Sequence, residues 1–250
     1  MRLDDRLYAL LAPHAARVTI EHVCVGRRYT AVTLSDGGIG LAYTWHNENE
    51  RTLMPSVYRE YKRQPATVLL EKIRGAALLD RSQALALINA LNYRHTLKLP
   101  EDADNRCLYD FMNADAGPRI AMVGYFSPLV ARLKERGAAL EIIDMGRDVG
   151  DQERFYARLN TWADVLVITS TSIINNTTEA IIRKAHSRVR TVMLGPSTPM
   201  VGEAFRHLPV QMLAGTVPID KAKVLQAVRQ GMGTRIIHRF SRKAYWLREQ

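Results

Sequence analysis

The sequence predicts a two-domain α/β protein: an N-terminal α+β domain with a three-stranded antiparallel meander, then a Rossmann-like, doubly wound parallel sheet of about five strands. Short alternating segments around the turn Ser35-Asp36-Gly37-Gly38 indicate a hairpin. From Arg119 onward, aliphatic runs alternate with helical patterns, as in parallel sheets. Between the two patterns, the acidic, proline-flanked stretch 100–118 suits a linker.

The N-terminal domain is expected over residues 1–99. Leu3, Leu7, Leu10 and Leu11 recur at helical spacing and predict an opening amphipathic helix. Ser82 precedes an apolar periodic run and is predicted to cap a helix ending at Tyr93. The other elements expected here are strands at 18–25, 29–34 and 39–45 and a helix at 66–74.

The Rossmann-like domain is expected over residues 119–232. Short continuous aliphatic runs are typical of strands buried on both faces, and helical segments separate them. The predicted strands are 120–123, 140–143, 165–169, 191–194 and 210–213, and the predicted helices are 128–136, 152–161, 177–186, 201–207 and 221–230. Residues 233–250 are expected to form a basic, aromatic C-terminal tail.

Composition narrows the class of protein. A hydrophobic content of 47% indicates a globular chain, and no apolar run approaches the roughly 20 residues that span a bilayer, so a cytoplasmic protein is expected. The two cysteines, Cys24 and Cys107, are too far apart in sequence for a thiolate metal motif. The net charge of +10 is concentrated in the C-terminal half, but no nucleic-acid motif accompanies it.

The connection after the predicted strand 165–169 is the leading candidate for a ligand site. Hydroxyl and amide side chains crowd the point where the strand's carboxyl end meets a helix, and ligands bind at such points in open α/β sheets. The candidates are Thr169, Ser170, Thr171, Asn175, Asn176 and Thr177. Asn176 followed by Glu179 fits an N-cap with a capping box, and plain capping is the competing explanation.

Other predicted strand ends carry similar residues. In a flavodoxin-like strand order, the loops after the first and third strands face one crevice. The further candidates are Gly124, Tyr125, Phe126, Ser127, Asp144, Gly195, Pro196, Ser197, Thr198 and Asp220. Asn89, near the end of a predicted N-terminal helix, is placed to reach a cleft between the domains.

Known catalytic and cofactor motifs are absent from the sequence. Asp144 follows Gly124 at the offset of a ribose-binding acid, but Gly124–Leu129 reads GYFSPL and lacks the GxGxxG fingerprint, so ordinary NAD binding is disfavoured. No zinc-type histidine spacing occurs. His46 and Glu48, in the group Trp45-His46-Asn47-Glu48, are weak candidates for metal ligands.

Several motifs together resemble a family described by heavy-metal chelation. The segments that carry the resemblance are VGRRYTAVTLSDGGIGLAYT, ALINALN, MVGYFSPLV, DVLVITSTSIINNTTE and MLGPSTPM. The resemblance implies an enolase-like N-terminal domain, a Rossmann-like domain and an interdomain pocket. This chain departs from the family's pattern at Ser170, where a glycine is expected, and at Asn176, where Asn-Gly-Thr is common.

The leading hypothesis is a protein that binds a small anionic, metal-chelating metabolite or a metal chelate between its domains. It would act in heavy-metal handling or chelator biosynthesis, with any metal ion bound through the chelating ligand and the cofactor otherwise unknown. One alternative is a nucleotide- or S-adenosylmethionine-dependent transferase. Another is a non-enzymatic assembly or nucleic-acid-associated protein acting through the tail, whose apolar and aromatic residues also suggest a homodimer.

Overall fold

The computed structural model describes residues 1–45 and 60–249. Its N-terminal part has one three-stranded antiparallel sheet in the order β1-β2-β3, covered by helices. The elements are α1 (Leu3–Ala15), β1 (Ile20–Val25), β2 (Tyr29–Leu34), β3 (Ile39–Tyr43), α2 (Ala66–Leu70) with a 3-10 turn at Glu71–Arg74, α3 (Leu78–Leu91) and α4 (Tyr93–Thr96). The predicted meander is confirmed, whereas His46 and Glu48 lie outside the described residues.

Local chemistry explains the β2–β3 hairpin and its close packing on α3. Asp36 accepts the backbone N–H of Gly38 (3.0 Å), and Gly37 has φ +84°, which favours glycine. Gly40 in β3 has no room for a β-carbon, because the backbone of Ala86 in α3 occupies that space. The sheet and α3 therefore approach at backbone distance.

The predicted cap at Ser82 is wrong. Helix α3 begins at Leu78, four residues earlier, and the Ser82 hydroxyl donates to the Leu78 carbonyl (3.0 Å) from inside the helix. The apolar residues Ala84–Ile88 are buried on all sides, so their periodicity was a poor guide to where the helix starts.

The C-terminal part is one six-stranded sheet in the order β5-β4-β6-β7-β8-β9. The first five strands are parallel, which confirms the predicted doubly wound architecture, and β9 runs antiparallel to β8. The strands are β4 (Arg119–Val123), β5 (Ala139–Ile143), β6 (Val165–Thr169), β7 (Arg190–Leu194), β8 (Met212–Pro218) and β9 (Ser241–Leu247).

Helices cover both faces of this sheet. They are α5 (Arg106–Met112), α6 (Ser127–Glu135), α7 (Gln152–Thr161), α8 (Thr171–Ile174), α9 (Thr178–Ile182), α10 (Lys221–Arg229) and α11 (Thr234–Ile237). The predicted helix 177–186 is shorter, and 201–207 contains only a 3-10 turn at Gly202–Phe205. Central strands such as Val165–Ile168 are fully buried, and each such side chain contributes about 1.5–3 kcal/mol to folding.

Two segments expected outside the domains pack on the sheet. In the 100–118 stretch, Leu108 and Met112 of α5 are buried against one face. Glu101 pairs with Ala244 of β9, so this stretch also lines the sheet's outer edge. Residues 241–247 of the predicted tail form β9 itself, a strand in which the adjacent cations Arg242 and Lys243 interrupt any alternating pattern.

Candidate functional site

The strand order reverses between β4 and β6, and their loops meet at the carboxyl edge of the sheet. Gly124, directly after β4, has φ +92°. A β-carbon built on it would lie 3.0 Å from the Cβ of Thr169 at the end of β6. The loops after the first and third predicted strands therefore meet, and glycine lets them approach closely.

The loop after β7 approaches the same place. Gly195 has φ +135°, and a β-carbon there would lie 2.7 Å from the Ser170 Oγ. Ser170 donates its backbone N–H to the Leu194 carbonyl (3.0 Å), which ties the two loops together. We call the loops 124–127, 169–171 and 195–198 the rim site.

Most polar side chains of the 169–178 segment bond to one another. Ser172 and Thr178 are both buried, and their hydroxyls are 2.7 Å apart. Thr177 donates to Asn175 (2.7 Å). The hydroxyls of Thr169 and Thr171 are 3.0 Å apart, and both residues are half-exposed at the carboxyl end of β6, where a ligand can reach them.

The predicted capping box is wrong. Asn176 is exposed and has φ +59°, the left-handed region, while Thr177 holds the N-cap position of α9. Glu179 instead accepts the backbone N–H of Leu3 (2.8 Å) and contacts His207 (2.8 Å). The side chain at 176 points to solvent at a turn where glycine would fit without strain.

Asp144 holds the β4 loop in place. One carboxylate oxygen accepts the N–H of Tyr125 (2.8 Å), and the other accepts that of Gly146 (3.1 Å). Arg147 lies 3.7 Å from the same carboxylate and 5.6 Å from the centre of the Tyr125 ring. Tyr125 and Phe126 are half-buried against the sheet, and Ser127 is exposed at the start of α6.

Ser197 and Asn89 join the two domains directly. The Ser197 hydroxyl accepts the N–H of Tyr43 (2.8 Å), and the Asn89 amide donates to the carbonyls of Leu41 (2.7 Å) and Ser197 (3.2 Å). Thr198 is buried beside a cavity of about 10 Å³, room for one water. The N-terminal and C-terminal parts are packed together at Asn89, so a ligand has no room there. Of the residues predicted for the ligand site, those at the rim are the accessible ones.

Two residues predicted for the site remain to be placed: Asp220 lies outside the rim, and Pro196 lies within it. Asp220 follows β8, two strands away from β6, and its carboxylate caps α10 by accepting the N–H of Lys223 (3.1 Å). Pro196 is half-buried within the β7 loop. A cavity of about 590 Å³ lies outside the rim in a groove between α5 and α6.

Arg81 is an important residue that sequence reasoning missed. Its guanidinium is 3% exposed and donates to the carbonyls of Ile173 (2.5 Å) and Ile174 (2.6 Å), at the end of α8. It also pairs with Asp4 (3.0 Å). A charged residue inside the run LLDRSQALALINAL was the available signal, because a buried arginine requires partners.

No described group of three or more His, Cys, Asp or Glu side chains is arranged to hold a metal ion. The rim offers hydroxyls and backbone groups instead, which suit the oxygens of an organic ligand. Burial raises the pKa of the Cys24 thiol, and the nearby Arg229 only partly opposes the rise.

These features define an α/β protein with a three-stranded antiparallel sheet and a six-stranded doubly wound sheet, with a polar, glycine-flanked rim at the switch point of the latter. The chain belongs to the family DUF364, described as "Putative heavy-metal chelation", whose model matches residues 108–247. A second family model with the same description, DUF4213, matches residues 8–92. The described helices include none that is long and apolar enough to cross a membrane.

Comparison with known proteins shows one relative in sequence and two solved structures with a similar fold. An uncharacterized protein of Methanocaldococcus jannaschii is 26% identical over 160 residues, which are 59% of this chain and 58% of that protein. A DUF364 protein of unknown function from Pyrococcus horikoshii superposes with TM-score 0.80 at 21% identity, covering 99% of this chain and 100% of its own. A DUF364 protein from Desulfitobacterium hafniense gives 0.75 at 19% identity, covering 98% and 99%.

Proposed function

We propose that this protein binds a small anionic, metal-chelating metabolite or its metal chelate at the rim site, in heavy-metal handling or chelator biosynthesis. One observation carries the proposal. Gly124 and Gly195 pack on either side of the Thr169–Thr171 segment without space for side chains, which leaves backbone and hydroxyls at the rim. Short polar loops at a switch point are the usual ligand contacts of this architecture.

Charge around the rim favours an anion. The Arg147 guanidinium is exposed beside Tyr125, and the whole chain has a net charge of +10. A positive field raises the local concentration of anionic ligands and their association rate. One of the hydroxyls of Thr169 and Thr171 donates to the other, and the second proton of this half-exposed pair can donate to a carboxylate or phosphate oxygen.

In this proposal the metal ion is bound by an organic chelator, and the protein binds the chelator. Hydroxyls and amides at the rim recognise hard oxygen groups rather than provide soft ligands for a heavy-metal ion. The family description supports a connection with chelation, and the donor chemistry of the described rim directs that connection to the chelating molecule.

Isothermal titration calorimetry tests the proposal. We would titrate free Zn²⁺, the chelators nitrilotriacetate and dipicolinate, and their zinc chelates into wild type, Thr171→Val and the control Thr161→Val. Thr161 is exposed on α7 and bonds within its own helix. We expect at least one chelator or chelate to bind, with Thr171→Val weakening it roughly tenfold. Binding of free Zn²⁺ alone, or unchanged affinity in Thr171→Val, overturns the proposal.

The alternative functions have less support. A nucleotide- or S-adenosylmethionine-dependent transferase would use Asp144, but both its carboxylate oxygens already accept backbone N–H groups. A nucleic-acid role for the tail would use Arg242, Lys243 and Arg248, and all three donate to backbone carbonyls. Cytoplasmic location and a homodimer stay predictions.

A further inference from the structure

Three aromatic side chains form a row on the N-terminal sheet, next to the rim. Tyr29 and Tyr43 meet edge to face with ring centres 6.4 Å apart, and Tyr43 and Trp45 do so at 6.3 Å. We call Tyr29, Tyr43 and Trp45 the aromatic row. Each ring fixes its neighbour's orientation, since edge-to-face packing is the favourable geometry of an aromatic pair.

Backbone hydrogen bonds attach this row to the elements that build the rim site. The Tyr43 N–H donates to Ser197 (2.8 Å), in the β7 loop that packs on Ser170. The Trp45 N–H donates to Ser82 (3.0 Å), whose chain neighbour Arg81 holds the carbonyl end of α8. The backbone of Tyr43 is therefore anchored on the rim, and that of Trp45 on the residue next to Arg81.

Exposure separates the members of the row. Tyr29 is buried, but Tyr43 is 40% exposed and Trp45 is partly exposed. Folding normally removes such rings from water, because they are among the largest apolar groups of a chain. Two neighbouring rings that stay accessible and stand at 86° to each other form a corner, in which a flat ligand ring can stack on one and present its edge to the other.

A cation lies at the other end of the row. Arg28 is exposed and passes beside Gly233, where a β-carbon would lie 3.6 Å from the Arg28 Cδ. Burial raises the pKa of Tyr29, and Arg28 is close enough to oppose that rise. Within residues 1–45 and 60–249, no carboxylate forms a salt bridge with Arg28. The guanidinium is thus available to an acidic group of a ligand.

We infer that the ligand of the rim site has a flat, π-conjugated ring bearing carboxylates, which stacks on Tyr43 and meets the nearly perpendicular Trp45 with its edge, while its acidic groups face Arg28 and the rim hydroxyls. The inference rests on the proposed function and specifies its ligand class: an aromatic chelator rather than an aliphatic one. Stacking on an aromatic side chain increases the affinity for any planar ring, whereas a saturated chelator binds through its polar contacts alone.

Two zinc chelates separate these classes. Dipicolinate and iminodiacetate both offer two carboxylates and one nitrogen to the metal, but only dipicolinate has an aromatic ring. We would titrate each zinc chelate into wild type, Tyr43→Leu and Trp162→Leu by calorimetry. Trp162 lies at the end of α7 under Arg158, so its replacement controls for the loss of a large aromatic ring elsewhere.

We expect wild type and Trp162→Leu to prefer the dipicolinate chelate by roughly tenfold, and Tyr43→Leu to lose most of that preference. Arg28→Gln should weaken both chelates alike, because both present two carboxylate groups to the guanidinium. Equal affinity for the two chelates in wild type, or an unchanged preference in Tyr43→Leu, overturns the aromatic inference and leaves the proposed function intact. Binding of neither chelate by wild type removes both.

Discussion

The Nε of Arg81 lies 2.6 Å from the carbonyl oxygen of Ile174, and this bond ties the N-terminal domain to the rim. The same guanidinium reaches Ile173 and the nearly buried Asp4. Burial raises the pKa of Asp4 although Arg81 opposes it, so desolvation of the pair is substantial. Arg81 therefore satisfies helix-end carbonyls and a buried acid together.

Replacing Arg81 by methionine should destabilise the protein by about 3–5 kcal/mol, because it leaves the buried Asp4 with only the exposed Arg2 at 3.6 Å and the carbonyls of α8 without this donor. Chemical denaturation measures the loss. Arg94→Met is the control: Arg94 is 72% exposed and 4.0 Å from Asp36, so we expect less than about 1 kcal/mol. Similar losses in both variants would contradict this role for Arg81.

A second prediction concerns Gly124. Gly124 (φ +92°) and Gly137 (φ +81°) have similar backbone conformations, but only Gly124 lacks space, because Thr169 is in contact. Alanine at either position should cost about 1–2 kcal/mol for the backbone. Gly124→Ala should cost about 1 kcal/mol more and weaken binding at the rim, while Gly137→Ala binds normally. Thermal unfolding and calorimetry measure the two effects, and equal behaviour of the variants would refute the close approach.

The turn at Asn176 gives a third prediction. Asn176 adopts φ +59°, a conformation that asparagine tolerates and β-branched residues do not. Asn176→Gly should leave stability within about 0.5 kcal/mol, whereas Asn176→Val should lose about 1–2 kcal/mol. Denaturation midpoints provide the comparison. Equal stability of the glycine and valine variants would show that the backbone at 176 is not left-handed in solution.

His238 predicts a pH dependence. Burial, with a smaller effect of Lys243, lowers its pKa from 6.5 to about 4. The unfolded chain then binds a proton below pH 6.5 while the folded chain does not, so stability is full above 6.5 and falls as pH decreases towards 4. The loss should reach up to about 3 kcal/mol.

Urea unfolding between pH 7.5 and 4 measures this dependence. His238→Gln keeps a group that can bond to Thr216, now 3.0 Å from the imidazole, and should flatten the pH profile. His95→Gln, at an exposed position, serves as the control and should leave the profile unchanged. A His238→Gln profile as steep as wild type would assign the acid sensitivity to other groups.

Sequence patterns predicted the antiparallel meander and the five parallel strands. Aliphatic runs such as Val165–Ile168 are buried on both faces, and a strand with that composition forms only inside a covered parallel sheet. The glycines of the β2–β3 turn and of the strand ends likewise mark backbone conformations that other residues avoid. Periodicity and turn chemistry are local, so they can be read from neighbouring residues.

Only the tertiary structure decided how the polar residues are used. The sequence treated Asn89, Asp144, Ser197 and Asp220 as equal candidates for one site, but hydrogen bonds across the fold give each a different partner. Sequence reasoning also missed Arg81 and β9. Arg81 bonds to a carbonyl 93 residues away, and β9 forms by pairing with β8. A hydrogen bond depends on distance in space, and spacing along the chain does not determine that distance between domains.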